Sequence, residues 1–178
     1  MVSHLPLLNI EKISYDQKPI QDCKSIIFTS ANAIKFLKKK KINKNIKCFC
    51  VGLATEKKAK SVGFQNIISA DGNVRNLKEL ILQNCNPTDQ NIVYVSGEII
   101  SSDLDKQLIK EGYSVKRIIN YKTNHNKNFD DKFVKNLKIN ISHIVYIYSY
   151  NSALSFLNFI KNERTESLWM DTNLMCMG

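Results

Sequence analysis

Tyr121, near the end of the run IINYKT, is the one isolated weak acid close to a strand-end corner. Packing is the competing role for its ring. Three short corners carry hydroxyl, amide or glycine groups of the kind that receive anions at the start of a helix: Thr29, Ser30, Ala31 and Asn32; Gly52, Leu53, Ala54 and Thr55; and Ser96, Gly97 and Glu98. In the second corner, glycine permits a sharp turn and Thr55 reads as the helix N-cap. An anion is the ligand such corners suit.

Other chemistries find little support. The sequence has no Gly-x-Gly-x-x-Gly, no Gly-x-x-x-x-Gly-Lys-Ser/Thr and no Gly-x-Ser-x-Gly, and spacing nominates no Ser-His or Cys-His pair. His4, His125 and His143 are scattered, so a metal site is not expected. Cys48 and Cys50 share one face of the run CFCVG, with one residue between them where zinc and redox pairs usually have two. They read as buried, inert thiols.

The elements that must hold these corners alternate apolar runs of four to six residues with stretches of helical period, the pattern of a βα chain with a parallel sheet. SIIFTS reads as a strand and ANAIKFLKKK as its helix, with Lys38 to Lys41 at the cation-favouring helix end. CFCVG is followed by ATEKKAKSV and Gly63, and NIIS by NVRNLKELIL. IVYVS leads to SDLDKQLIKE and Gly112, then to the longer strand SVKRIINYKT. The polar stretch NHNKNFDD, residues 124 to 131, marks a domain boundary. Beyond it, KFVKNL, ISHIVYIYS and SALSFLNFI read as helix, strand and helix.

With 178 residues, 43% of them hydrophobic and 24% charged, the chain is long enough for a packed core and too apolar for wholesale disorder. No apolar run reaches the length of a membrane span, and the start lacks the pattern of a secretory signal, which places the protein in the cytosol. A net charge of +10 invites a nucleic-acid reading, but all except three basic residues are lysine. Arg75, Arg117 and Arg164 are the exceptions, and Lys, Ile and Asn, all with A/T-rich codons, exceed a third of the chain. A solvated lysine surface is the expectation, with no nucleic-acid or membrane partner. Five cysteines without an export signal imply no disulfide framework.

FTSANAIKFL and YSYNSALSFL repeat a strand-to-helix layout at an offset of 120 residues. After the first copy comes CFCVGLATEKKA; after the second comes LMCMG, with Gly178 in the place of Gly52.

The ordered set PLLNIEKI, IIFTSANAIKFL, VGLATEKKAKSVGF, SADGNVRNLKELI, VYVSGE, EGYSVKRIINYKT and IYSYNSALSFL resembles the uroporphyrinogen-III synthase family over most of the chain. The resemblance implies an α/β fold with a parallel-sheet βα domain over residues 15–119. Residues 1–14 and 120–178 would supply two linker strands, PLLNIEKI and KRIINYKT, and a second α/β domain that is incomplete. Against the family pattern the chain reads as shortened at both ends, with a truncated or decaying copy as one expectation. The implied reaction is cyclisation of hydroxymethylbilane, a linear tetrapyrrole with eight carboxylates, losing water and inverting the last pyrrole without metal or cofactor. An inactive remnant that binds tetrapyrrole is the alternative, and a basic nucleic-acid-binding domain a weaker one. Tyr121 matches the family tyrosine proposed to help the hydroxyl leave. Thr55 matches the cleft threonine and Ser149 the serine of the second domain, while Thr29, Ser30, Asn32, Gly52, Ser96 and Gly97 fall at the substrate-binding corners. A monomer is expected, with self-association through exposed edges possible.

Overall fold

The run SIIFTS becomes β2 (Ser25–Phe28), every residue of which is buried, and both of its faces are covered. Ile26 and Phe28 belong to one apolar cluster and Ile27 to another, as the two-residue period of a strand requires. The computed structural model describes residues 4–38, 42–89, 91–126 and 129–176. Two compact units are distinguished, Ile10–Thr123 and Met1–Asn9 with Asn124–Gly178.

The first unit is built on a six-stranded sheet in the order β1-β6-β5-β2-β3-β4. Its strands are β1 (Leu8–Lys12), β2, β3 (Lys47–Val51), β4 (Ile67–Ala70), β5 (Asn91–Gly97) and β6 (Ser114–His125), with β1 and β6 reaching past the unit's limits. The pairs β2–β3, β2–β5, β3–β4 and β5–β6 are all parallel. Helices α1 (Lys18–Gln21), α2 (Ala31–Lys35), α3 (Leu53–Ser61), α4 (Val74–Asn84) and α5 (Leu104–Lys110) connect them. Residues of α1, α2 and α3 pack in the cluster with Ile26 and Phe28, and those of α4 and α5 in the cluster with Ile27. The chain builds outward from β2 through β3 to β4, then returns to β2's other side with β5 and β6. Such a reversal leaves a crevice beyond the carboxyl ends of the strands that flank it, here β2 and β5.

Glycines close two of the helices as their sequence positions predict. Gly63 (φ +97°) and Gly112 (φ +87°) follow α3 and α5 in the left-handed conformation that glycine adopts most easily. The helix after β2 is shorter than its pattern suggests. The run expected to continue through Lys40 leaves helical geometry at Phe36, because tertiary bonds replace helical ones: the Tyr15 hydroxyl donates to the Phe36 carbonyl (3.3 Å) and accepts from the Lys38 amide (2.7 Å). Lys38 therefore lies past the helix end, and residues 39–41 of the lysine run lie outside the described residues.

In the second unit α6 (Asp131–Ile139), β7 (Ile144–Ile147) and α7 (Tyr150–Asn162) enclose a small core, and β8 (Asn173–Cys176), exposed throughout, pairs with β7. Phe156 and Phe159 anchor it, packing edge-on against Trp169 (5.1 Å) and Phe129 (4.8 Å) respectively. β7 and β8 pair in parallel, as β2 and β3 do, so the internal echo is one of structure. Its spacing is 119 residues and not 120, since Ser25 and Ile144 start the strands and Ser30 and Ser149 cap the helices. Gly178, and residues 127 and 128 of the polar stretch read as a boundary, lie outside the described residues. Among the described residues no helix is long and apolar enough to cross a membrane.

Candidate functional site

The parallel registers put the corners of the first unit at one end of its sheet. Phe28 pairs with Cys50 on one side and Val95 on the other. Two residues further along each strand come Ser30, Gly52 and Gly97, and Gly97 pairs in turn with Tyr121. With strands about 4.8 Å apart, the row from Gly52 to Tyr121 crosses three intervals, about 14 Å. The sequence singled out these four residues separately, and the fold aligns them.

Tyr121 owes its place to a β-bulge. Ser96 pairs with Ile119 but Gly97 pairs with Tyr121, so Asn120 is an extra residue in β6. Strict alternation would put Tyr121 on the same face as the exposed Ile119. The inserted residue moves it to the opposite face, into the cluster containing Ile118, with Phe36 at a ring-centroid distance of 6.4 Å. Asn120 is fully buried, and its side-chain amide donates to the Ala33 carbonyl (2.7 Å), fastening the bulge to α2. Gly97 leaves room for the ring: a Cβ there would lie 2.6 Å from Tyr121 Cζ and 2.9 Å from its hydroxyl oxygen. Tyr121 is 9% exposed. Among the described residues its hydroxyl has no hydrogen-bond partner, yet it is not one of the fully buried unpaired polar atoms, so it keeps contact with solvent.

The first corner is held from its base. Thr29 Oγ1 and the Tyr94 hydroxyl lie 2.9 Å apart, tying the residue after β2 to the middle of β5. Burial pushes the Tyr94 phenol above its ordinary range, against a smaller opposing effect of the Thr29 hydrogen bond, so Tyr94 remains a neutral donor or acceptor. Ser30 caps α2, its hydroxyl accepting from the Asn32 amide (3.2 Å). Asn32 itself is half-buried in the first turn.

The second corner differs from the sequence reading. Gly52, and not Thr55, is the N-cap of α3, and it supplies no side-chain cap. Its φ of +77° is the left-handed region that favours glycine, and no atom would meet a Cβ there. Thr55 lies one turn into the helix, 4% exposed, with its amide donating to the Gly52 carbonyl (3.1 Å). The amides of Leu53 and Ala54, which precede that bond, have no acceptor within the helix, which leaves them available to an anion.

At the third corner Ser96 is buried, its hydroxyl donating to the Gly97 carbonyl (3.0 Å) and accepting from Arg117 Nε (2.9 Å). The same guanidinium donates through Nη2 to the carbonyls of Gly97 and Glu98, each at 2.8 Å. Ser149, in the second unit, is the exposed N-cap of α7. It accepts from the Ser152 amide (3.2 Å) and lies 2.9 Å from the Ser152 hydroxyl.

Sequence reasoning missed Arg117, Tyr94 and Asn120. Arg117 carried one signal, being one of three arginines in a lysine-rich chain. Tyr94 lay hidden in an apolar run, and the bulge at Asn120 left no mark. A Ser-His contact that spacing could not nominate joins His125 Nδ1 to Ser155 Oγ at 2.5 Å, but Ser155 is buried in the middle of α7. Cys48 and Cys50 are fully buried with sulfurs 3.8 Å apart, and their mutual hydrogen bond, with burial, drives the Cys48 thiol strongly upward. Among the described residues no group of three or more His, Cys, Asp or Glu side chains is placed to hold a metal ion. A shallow groove of about 390 Å³ lies between α4 and α5, lined by Arg75, Lys78, Glu79, Leu82, Ser102 and Gln107, and contains none of the corner residues.

A reversed-order parallel sheet, with its corners and Tyr121 aligned at the carboxyl ends of the strands, defines an α/β protein of the doubly wound kind. The family model described as uroporphyrinogen-III synthase HemD matches residues 1–178, and the chain belongs to that family. It is similar in fold to the crystal structure of uroporphyrinogen-III synthetase from Helicobacter pylori, at 18% identity and a TM-score of 0.61, over 96% of this chain and 84% of that one. A mutant uroporphyrinogen III synthase from the extremely thermophilic bacterium Thermus thermophilus aligns at 14% identity and a TM-score of 0.60, over 97% of this chain and 74% of that one. No curated protein matches the chain.

Proposed function

We propose that the chain is a cyclising hydro-lyase that converts hydroxymethylbilane to uroporphyrinogen III, with Tyr121 as the group that assists departure of the hydroxyl. Family membership supplies the substrate and the reaction class. One observation carries the residue assignment: a bulge keeps a phenol hydroxyl, without a partner among the described residues, at the carboxyl end of the sheet beside Gly97.

The substrate's electron-rich pyrroles push the hydroxyl out, so the protein's task is to hold a reactive geometry and to lower the barrier to losing water. The Tyr121 O–H donates to the leaving oxygen, and the proton released when the ring closes balances the water lost. Carboxylates approach Thr29, Ser30 and Asn32 at the first corner and the amides after Gly52 at the second. Thr55 and Ser96 act by building their corners, since both side chains are buried. Gly97 admits the tyrosine ring. The reaction belongs in the cytosol and uses no cofactor.

The test is to mix the purified chain with freshly prepared hydroxymethylbilane and separate the isomers. The type III isomer in excess over the spontaneous type I isomer is the expected result. Tyr121→Phe should lower kcat at least tenfold, the lower end of what a positioned acid contributes being about a hundredfold and some assistance surviving its loss. Type I product alone from the wild-type chain would defeat the enzyme reading.

A further inference from the structure

We infer that Arg117 is a positioning residue for this reaction, acting through Tyr121; the inference rests on the role proposed above for that tyrosine. Both residues belong to β6, four positions apart, with the bulge at Asn120 between them. Arg117 is half-buried and spends three hydrogen bonds on one short segment, reaching Ser96 Oγ (2.9 Å), the Gly97 carbonyl (2.8 Å) and the Glu98 carbonyl (2.8 Å). That segment is what Tyr121 rests on. Gly97 faces the ring so closely that a single added carbon would fall within 2.6 to 2.9 Å of three of its atoms. The Glu98 amide donates to the Tyr121 carbonyl at 2.9 Å.

The corner after β5 is thus gripped from two sides, by a guanidinium on its carbonyls and by the backbone and ring of Tyr121. A planar guanidinium can serve three acceptors at fixed angles, whereas an ammonium cannot reproduce that fork. Without Arg117 the Glu98 carbonyl loses its side-chain donor and the Gly97 carbonyl keeps only the Ser96 hydroxyl, so the surface under the ring is held less firmly. Displacement of a reacting group by about 1 Å can cost about a hundredfold in rate. A scarce arginine in a lysine-rich chain is committed to this corner, at the end of β5 beside the point where the strand order reverses.

The experiment compares the full-length wild-type chain with Arg117→Ala, Arg117→Lys, Tyr121→Phe and the Arg117→Ala/Tyr121→Phe double variant on hydroxymethylbilane. A second readout is the NMR signal of 13Cζ-labelled tyrosine, with Tyr121 assigned by its absence from Tyr121→Phe. Arg117→Ala is expected to lower kcat by roughly 10- to 100-fold with KM little changed, the signature of an interaction felt in the transition state. Millimolar guanidinium ion should restore part of that loss, Arg117→Lys should retain only part of the rate, and the double variant should be no slower than Tyr121→Phe. The Tyr121 carbon signal should shift in both Arg117 variants while that of Tyr15 stays put. Independent, multiplicative losses in the double variant would overturn the inference, as would an unmoved Tyr121 signal in a folded Arg117→Lys. If instead Tyr121→Phe alone turns over at the wild-type rate, the proposed acid fails, and the NMR shift still decides whether Arg117 places the ring.

Discussion

Replacing Gly97 with alanine tests the placement of Tyr121 with one carbon. The backbone at Gly97 is not in the left-handed region, so alanine meets no conformational penalty and its effect is steric. The new Cβ would lie 2.6 Å from Cζ, 2.7 Å from Cε2 and 2.9 Å from the hydroxyl oxygen. Ordinary carbon contacts begin near about 3.5 Å, so the ring must retreat by about 0.9 Å. It cannot go far, because Phe36 and the buried cluster around Ile118 lie behind it. Overpacking of this kind costs about 1 to 3 kcal/mol of stability. The hydroxyl, at the end of the lever, moves at least as far as the ring, enough for a loss in kcat of about 10- to 100-fold. Isomer analysis after timed reaction with hydroxymethylbilane measures the rate, and urea unfolding measures the stability. Combining Gly97→Ala with Tyr121→Phe should add little to the kinetic loss of Tyr121→Phe. A Gly97→Ala protein with wild-type rate and midpoint would refute the contact and the catalytic placement built on it.

Three other outcomes follow from the structure. Ser30→Ala removes the α2 cap and should cost about 1 kcal/mol in urea unfolding, and Asn73→Ala, whose carboxamide oxygen accepts from the amides of Arg75 and Asn76 at 2.9 and 3.2 Å, should cost a similar amount while leaving kcat intact. Among the cysteines, Cys176 is exposed while Cys23, Cys48, Cys50 and Cys85 are buried, so a thiol reagent should label Cys176 in the native chain and the other four only in denaturant; rapid native labelling of Cys48 or Cys50 would contradict the packed β3. Burial raises the Cys23 thiol to about 11 and also lifts Cys85, Tyr15 and Tyr94. The unfolded chain therefore loses these protons first, and stability should fall as pH rises from about 9 to 11, as measured by urea midpoints; a flat profile across that window would contradict the burial of these groups.

Much of the first unit was legible because a buried parallel strand and a capped helix leave local marks. SIIF, FCV and IVYV are apolar on both faces, and glycines 63 and 112 stand where left-handed residues end helices. The corners were legible for the same reason, since Ser30 and Gly52 each solve a problem of their own first turn. What stayed hidden depends on register between strands distant in sequence. Nothing in RIINYKT distinguishes a continuous strand from one with an extra residue at Asn120, because the bulge exists only relative to β5. Arg117 was equally opaque: most of its acceptors are carbonyls, and a carbonyl is offered by every residue. The misreading of Thr55 as a cap has the opposite origin. Threonine is a good N-cap by type, but a glycine already turned at +77° had claimed the position three residues earlier.

These hidden features share one design, which explains why a single strand holds so much of the candidate site. A strand of strict alternation offers its two faces in turn, and Arg117 and Tyr121, four residues apart, would both fall on the α5 side of the sheet. The bulge sends Tyr121 to the α2 side while Arg117 stays with Ser96. The β5 corner can then be held from both faces by one strand, with Gly97 as its thinnest point. Deleting Asn120 would restore strict alternation with the tyrosine directly after Ile119, and it would still fall opposite Gly97 on the α2 face. Deletion of that residue should consequently lower the urea midpoint, through the lost bond to Ala33, while turnover survives because the tyrosine stays beside Gly97. Asn120→Asp, which keeps the chain length but loses the same donor, should weaken folding in the same way, and loss of all turnover in a folded deletion variant would refute this account of the register.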